Sequence, residues 1–328
     1  MKAIQIELSK AGYEPFFDFL KAYAIICVLV GHTFPYLDKV GAPLWLEMQV
    51  PIFVLIQAFH VLKKPSSKLD FKRLFYRVLL PYIIVLIGII IVYLLFGRLD
   101  NSQIIKGLVG GGYGPGSYYP WVYIQLAIIL HFVRPLFDIG NTALQAILWI
   151  VVCEGFEILE SCINLPDPIH RLLAVRYIFL IYLSWRWIKE GIVINKTTII
   201  LSVLSGLSIA YFPYCNFNNE PLFYTTGWSY HRWPCYFYVS TLLCYLLHII
   251  YVSISKISFV DRAIIFLAKC SYEIFLVQMA VIALLPKFGF IGNKYLALSL
   301  WITVVWILSL VGGYFFNRVY SNILKRIR

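Results

Sequence analysis

The sequence predicts an all-α, polytopic transmembrane helix bundle of about ten helices with both termini cytoplasmic, and three observations carry that expectation. Hydrophobic residues fill 61% of the 328 positions and charged residues only 13%, about half the charged share of an ordinary soluble domain. Apolar stretches of about 17–25 residues, bounded by charges or turn residues, recur along the whole chain. Lysine and arginine collect in alternate connections between those stretches, which is the positive-inside pattern.

Taken in order, the apolar stretches are 15–36, 43–62, 74–97, 119–137, 142–161, 169–188, 197–214, 233–254, 260–285 and 295–317. The first has no small-residue cleavage site and runs on into His32-Thr-Phe-Pro35, so it reads as an uncleaved membrane helix and not as a signal peptide. Lys63, Lys64, Lys68, Lys72, Arg73 and Arg77 follow the second stretch; Arg186, Lys189 and Lys196 follow the sixth. Lys256 and Arg262 follow the eighth, and Arg318, Lys325, Arg326 and Arg328 end the chain. These groups belong to cytoplasmic connections, which leaves 98–118 and 215–232 as the two longer outer loops. The fifth and sixth stretches are the least regular, since Glu154, Glu157 and Arg176 interrupt them.

A net charge of +12 would suit a nucleic-acid partner, but its placement in alternate loops assigns it to the bilayer instead, and no nucleic acid is expected. No repeat, low-complexity tract or hydrophilic domain interrupts the chain. The expected organisation is one transmembrane domain over 1–328 without a separate soluble domain, so any chemistry takes place among the helices or in the outer loops. The 7 cysteines have no metal-type spacing, and no metal is expected. Cys215 and Cys235 flank one outer loop and could pair there, although apolar burial of free thiols is the favoured reading.

Chemistry-bearing residues in such a chain are the ionisable groups that a bilayer makes costly. Lys21 and His32 lie eleven residues apart in the first span, so about 100° per residue returns them to nearly the same azimuth, about 16 Å apart along the axis. An imidazole with an ordinary pKa near 6.5 can serve as a general base toward a hydroxyl. A hydrogen-bonded structural role for His32, and neutralisation of Lys21 by Asp18 or its snorkelling to the interface, remain open alternatives. Lys72, Arg73 and Arg77 precede Pro81 at the cytoplasmic start of the third span. Arg73 and Arg77 share a face, and guanidinium forks suit phosphate oxygens, while an ordinary membrane anchor is the alternative. Glu154, Glu157 and Arg176 form either an internal bridge or a functional group that orients His32 or contacts the acceptor, and Glu273 has the same readings. The loop 215–232 carries Trp228, Tyr230, His231 and Arg232, flat apolar faces with polar groups that suit a saccharide, or equally an interfacial aromatic belt. The run Gly110-Gly-Gly-Tyr-Gly-Pro-Gly116 lacks a preceding strand and any Gly-Lys-Ser/Thr, so it reads as re-entrant or lid backbone and not as a phosphate loop.

The first-span pattern from Phe17-Asp-Phe-Leu-Lys21 to Gly31-His32 resembles the basic-x10-His signature of the integral-membrane acyltransferase family 3, which includes O-acetyltransferases of bacterial surface polysaccharides. Three further segments resemble that family in the same order: Val50-Pro-Ile-Phe53, Lys72-Arg73-Leu-Phe-Tyr-Arg77-Val-Leu-Leu-Pro81-Tyr82, and Ser271-Tyr272-Glu-Ile-Phe-Leu276, which is similar to a late Ser-Tyr-x-Ile-Tyr-Leu-His segment. The chain departs from the pattern at Lys21, where arginine is usual, at Gln57-Ala58, where Ser-Gly is common, and at Gln278, where histidine often stands.

The resemblance implies a membrane O-acyltransferase that takes an acyl group from cytoplasmic acetyl-coenzyme A, or another acyl-coenzyme A, to a hydroxyl of a cell-surface or lipid-linked saccharide in the bacterial cytoplasmic membrane. His32 is then the general base, Lys21 its partner in the signature, and Lys72, Arg73 and Arg77 hold the donor phosphates. Direct transfer is favoured over an acyl-histidine, because no activated serine or cysteine stands beside His32 at helical spacing. The competing class is a carrier or flippase for a lipid-linked saccharide, which should show repeats and paired broken helices; neither occurs here. A homo-oligomer is left open.

Overall fold

The computed structural model describes residues 4–6, 14–34, 49–63, 70–98, 101–139, 142–163, 165–166, 169, 172–194, 196, 199–200, 203, 239–285 and 294–327. Among them it is all-α apart from one two-stranded ladder. The helices are α1 (Pro15–Thr33), α2 (Gln49–Leu62), α3 (Phe71–Leu95), α4 (Asn101–Val109), α5 (Tyr119–Val133), α6 (Thr142–Cys162), α7 (Ile178–Glu190), α8 (Val239–Ile254), α9 (Ser258–Leu284) and α10 (Lys294–Ile327). Of the described helices, 5 are long and apolar enough to cross a membrane. The seventh predicted span, the loop 215–232, and Cys215 and Cys235 lie outside the described residues, apart from a few scattered positions at the start of that span.

Polarity is arranged as a bilayer requires. On α3, Ile84, Ile87, Ile91 and Leu94 are exposed at three- and four-residue spacing, a stripe fit only for lipid. Gln57, Ser184, Ser271, Gln278 and Ser309 are buried within the bundle. Helix α1 is the central element and touches α2, α8, α9 and α10. Its start places Pro15 in the first turn, where the missing N–H costs nothing. Its end comes at Phe34, which stands before Pro35 and adopts φ −98° and ψ 108°, the extended conformation expected of a residue preceding proline. There the Thr33 hydroxyl donates to Leu29 O (2.7 Å) and accepts from Trp306 Nε1 (3.1 Å), tying that end of α1 to α10.

Helix α9 lies against both α1 and α10. A Cβ at Gly313 of α10 would stand within 2.8 Å of the Ile274 backbone, so the absence of a side chain there sets the close approach of these helices.

Helix α3 contains a π turn over Phe75–Leu79, in which the Leu80 N–H donates to Phe75 O. Pro81 explains it: the ring has no N–H and crowds the carbonyl four residues back, so the helix widens before it. In the widened register the acceptor left unserved by Pro81 is Tyr76 O, and the Tyr320 hydroxyl of α10 donates to it. Tyr272 of α9 likewise donates to Val78 O at 2.8 Å. A neighbouring helix thus satisfies the carbonyl that the proline frees in this membrane span. Tyr320→Phe should leave this part-buried carbonyl without its side-chain donor and lower stability by about 1 kcal/mol, which thermal unfolding in detergent would measure.

Four features differ from the sequence expectation. Residues 101–109, assigned to an outer loop, form the short helix α4. The sixth span opens with a 3-10 turn at Val175–Tyr177, so Arg176 sits at the head of α7 and not within it. The last helix continues to Ile327, because Arg318, Lys325 and Arg326 mark where the membrane ends while remaining good helix formers. A short ladder, β1 (Ile4–Ile6) with β2 (Ile192–Ile194), runs antiparallel with Ile4 opposite Ile194 and Ile6 opposite Ile192. Three residues per strand give too weak an alternation to be read from sequence.

Candidate active site

A cavity of about 950 Å³ runs inside the bundle between α1, α2, α3, α5, α9 and α10, and both Lys21 and His32 line it. The eleven-residue spacing therefore does what helical geometry predicts: the two groups open onto one space about three turns apart.

The end of the cavity near Lys21 is rich in cations. Arg73 and Arg77 from α3 line it, together with Lys269 from α9 and Lys325 from the end of α10, and with His60, His131 and Arg134 from the ends of α2 and α5. Asp70 and Glu273 are the acidic groups among the lining residues. Arg73 owes its position to a cap, since Asp70 Oδ1 accepts from the Arg73 N–H at 2.9 Å and starts α3 in the manner of a helix N-cap. Lys21 is held by Asp18, with Nζ donating to Oδ1 at 3.1 Å, so the local neutralisation considered from sequence is present and Lys21 still borders the cavity. Lys72, by contrast, is exposed and does not line it.

The other end is built around His32, which is half-buried. Gln278 Nε2 of α9 lies 2.9 Å from His32 Nδ1. The glycine run 110–116 turns back into the bundle here, as a re-entrant segment would: Gly111 O accepts from the Tyr82 hydroxyl in the middle of α3. Gly116 has φ +80°, and a Cβ built on it would meet Phe275 at 2.7 Å and His32 Cε1 at 3.7 Å. Glycine is the residue that fits that backbone and that gap. Tyr118, Tyr119, Tyr123 and Tyr272 line the length between the two ends, giving flat apolar walls with hydroxyl tips.

Other sequence candidates lie apart from this space. Helix α6 packs on α7 through Trp149 and Cys153, and neither it nor Arg176 contributes to the cavity lining. Arg176 is buried with its guanidinium 5.4 Å from the Tyr177 ring centroid. The side chains of Glu154 and Glu157, and Trp228, Tyr230, His231 and Arg232 with their loop, lie outside the described residues. Sequence reasoning missed His60, His131, Arg134, Lys269 and Lys325 as members of the site. His60, His131, Arg134 and Lys325 sit at or beside helix ends, where a cation is indistinguishable from an ordinary anchor until the helices are assembled, and Lys269, in the middle of α9, joins them only through the packing of that helix.

Together the fold and the cavity define a multi-pass membrane protein with a large cavity among its helices, a half-buried imidazole toward one end of it and a cluster of cations toward the other. The match to known families gives that class its chemistry. A family model described as an acyltransferase domain, that of the integral-membrane acyltransferase family 3, covers residues 14–318, and the chain belongs to this family. It is a membrane acyltransferase. Comparison with curated proteins and with solved structures finds no match.

Proposed function

We propose that this acyltransferase takes an acyl group, acetyl in the simplest case, from cytoplasmic acyl-coenzyme A and places it on a hydroxyl of a saccharide at the outer side of a bacterial cytoplasmic membrane. One observation carries the reading: a single cavity joins the cation cluster to His32. Phosphates of the donor are met by Arg73 and Arg77, whose planar forks bind phosphate oxygens in pairs, with Lys269 and Lys325 adding charge. The pantetheine arm, extended and amphipathic, lies along the tyrosine-lined walls and brings the thioester to His32. There the imidazole takes the proton of the acceptor hydroxyl as its oxygen bonds to the thioester carbonyl carbon. The carbon–sulfur bond then breaks, and the proton passes to the departing sulfur, leaving an ester and the coenzyme thiol.

This reading orients the protein with the cation cluster and both chain ends in the cytoplasm. The ladder between β1 and β2 supports it, because it brings the start of the chain to the far end of α7, both assigned to the same side by the charge pattern. The loop 215–232, with Trp228, Tyr230, His231 and Arg232, is the proposed contact for the saccharide.

Mass spectrometry of surface glycans from cells with and without the chain tests the reaction. A glycan lacking one acyl ester in the deletion supports it; identical glycans overturn it. The donor site has its own test. Replacing Arg73 and Arg77 together by alanine should weaken acetyl-coenzyme A binding about tenfold or more, while thermal unfolding changes little because both side chains are exposed. Unchanged affinity in purified protein would return both residues to membrane anchors.

A further inference from the structure

Gln278 is fully buried on α9, its Nε2 lies 2.9 Å from His32 Nδ1, and its Oε1 has no hydrogen-bond partner among the described residues. A buried amide with one end on an imidazole and the other unserved is a costly thing to keep inside a membrane bundle.

The proton inventory of the ring shows what it is for. With the amide nitrogen facing Nδ1, the amide donates, Nδ1 accepts, and the one proton of a neutral ring sits on Nε2. A ring in that tautomer has no lone pair on Nε2 with which to take a proton from a hydroxyl. A ring that has taken up a proton carries N–H at both nitrogens, so an amide N–H facing Nδ1 would set donor against donor. A half-turn of the amide about its last side-chain bond removes the conflict. It exchanges two groups of nearly equal size, and the carbonyl oxygen then accepts from Nδ1–H.

We propose that Gln278 is a positioning residue for His32: its side-chain carbonyl accepts the Nδ1 proton, selects the tautomer whose Nε2 is basic, and holds the imidazolium formed during transfer. The proposal rests on His32 being the base of the acyl transfer described above. In each turnover a proton moves from the hydroxyl oxygen to Nε2 and from Nε2 to the departing sulfur. The Nδ1 proton stays with Gln278 throughout. The amide does without a charge what a buried carboxylate does for the histidine of a hydrolase triad.

Leucine and glutamate separate this role from packing. Gln278→Leu keeps the volume and removes both hydrogen-bonding ends; Gln278→Glu keeps acceptor oxygens and removes the donor. Radiolabelled acetyl-coenzyme A supplied to membrane vesicles holding the chain and its native acceptor reports the rate of incorporation against donor concentration. Gln278→Leu should lower the maximal rate by about 30-fold or more with the KM for acetyl-coenzyme A within about twofold, and Gln278→Glu should keep at least about a third of the rate. Should the leucine variant be lost from the membrane, Gln278→Met supplies the same comparison.

A Gln278→Leu protein as fast as the unsubstituted one overturns the proposal. So does a glutamate variant as slow as the leucine variant while both bind acetyl-coenzyme A normally, because the donor end would then be the one that matters. Incorporation that persists in His32→Ala, or is absent from the unsubstituted chain, overturns the reading of the site itself. Incorporation that needs His32 and ignores Gln278→Leu overturns this proposal alone.

Discussion

His32→Ala, present in the membrane at the normal level, is expected to abolish acylation. General base catalysis contributes about 10²–10⁴-fold to a rate, and loss at that scale takes a surface ester below detection. The fold should survive. His32 is only half-buried in the last turn of α1, alanine is the strongest helix former, and the C-terminal end of α1 stays tied to α10 through Thr33 and Trp306. Ester quantified on surface glycans, normalised to the amount of protein in the membrane, is the measurement. Full retention of the ester would remove His32 from the mechanism.

Gly116→Ala is expected to have the next largest effect. Its φ of +80° costs a residue with a side chain about 1–2 kcal/mol from the backbone alone. The new methyl would stand 2.7 Å from the Phe275 ring and in contact with His32, so either the loop or the imidazole must move. A base held out of line by a fraction of an ångström transfers protons poorly, and a fall in rate of about tenfold or more should accompany modest destabilisation. Gly31→Ala is the matching control. It stands beside His32 in the chain, but a Cβ there meets nothing within 4 Å, so activity should hold within about twofold and helix stability should rise by up to about 1 kcal/mol. Equal activity in both variants would show that the loop does not shape the reaction space.

What the sequence made legible was whatever depends on helical phase or on cost. Lys21 and His32 could be placed on one face because α1 is regular, and the membrane made two polar groups there conspicuous. Arg73 and Arg77 were legible as a pair for the same reason, though Lys72 beside them was not distinguishable until α3 was oriented. The π turn ahead of Pro81 was not legible, because a proline in a helix can kink, end or widen it, and Tyr320, far along the chain, takes part in deciding which. Gln278 was visible only as a departure from a motif. Its contact with His32 joins α9 to α1 across 246 residues of sequence, and no local pattern encodes such a pairing. That 110–116 is re-entrant or lid backbone was read from its glycines, but the neighbours that require them, Phe275 and His32 at Gly116, come from other elements.

The short ladder between β1 and β2 also sets an order of events. Ile6 leaves the ribosome well before Ile192, its partner, and at about 5–20 residues per second the two are made about 10–40 s apart. Until then the first helix is threaded but not latched, and the imidazole that it carries waits still longer for Gln278. A nascent or truncated chain that stops before α9 therefore carries His32 without the α9 side chain that it contacts, and without the α9 and α10 residues that line the cavity. The cavity is the last feature that this chain completes during its biogenesis.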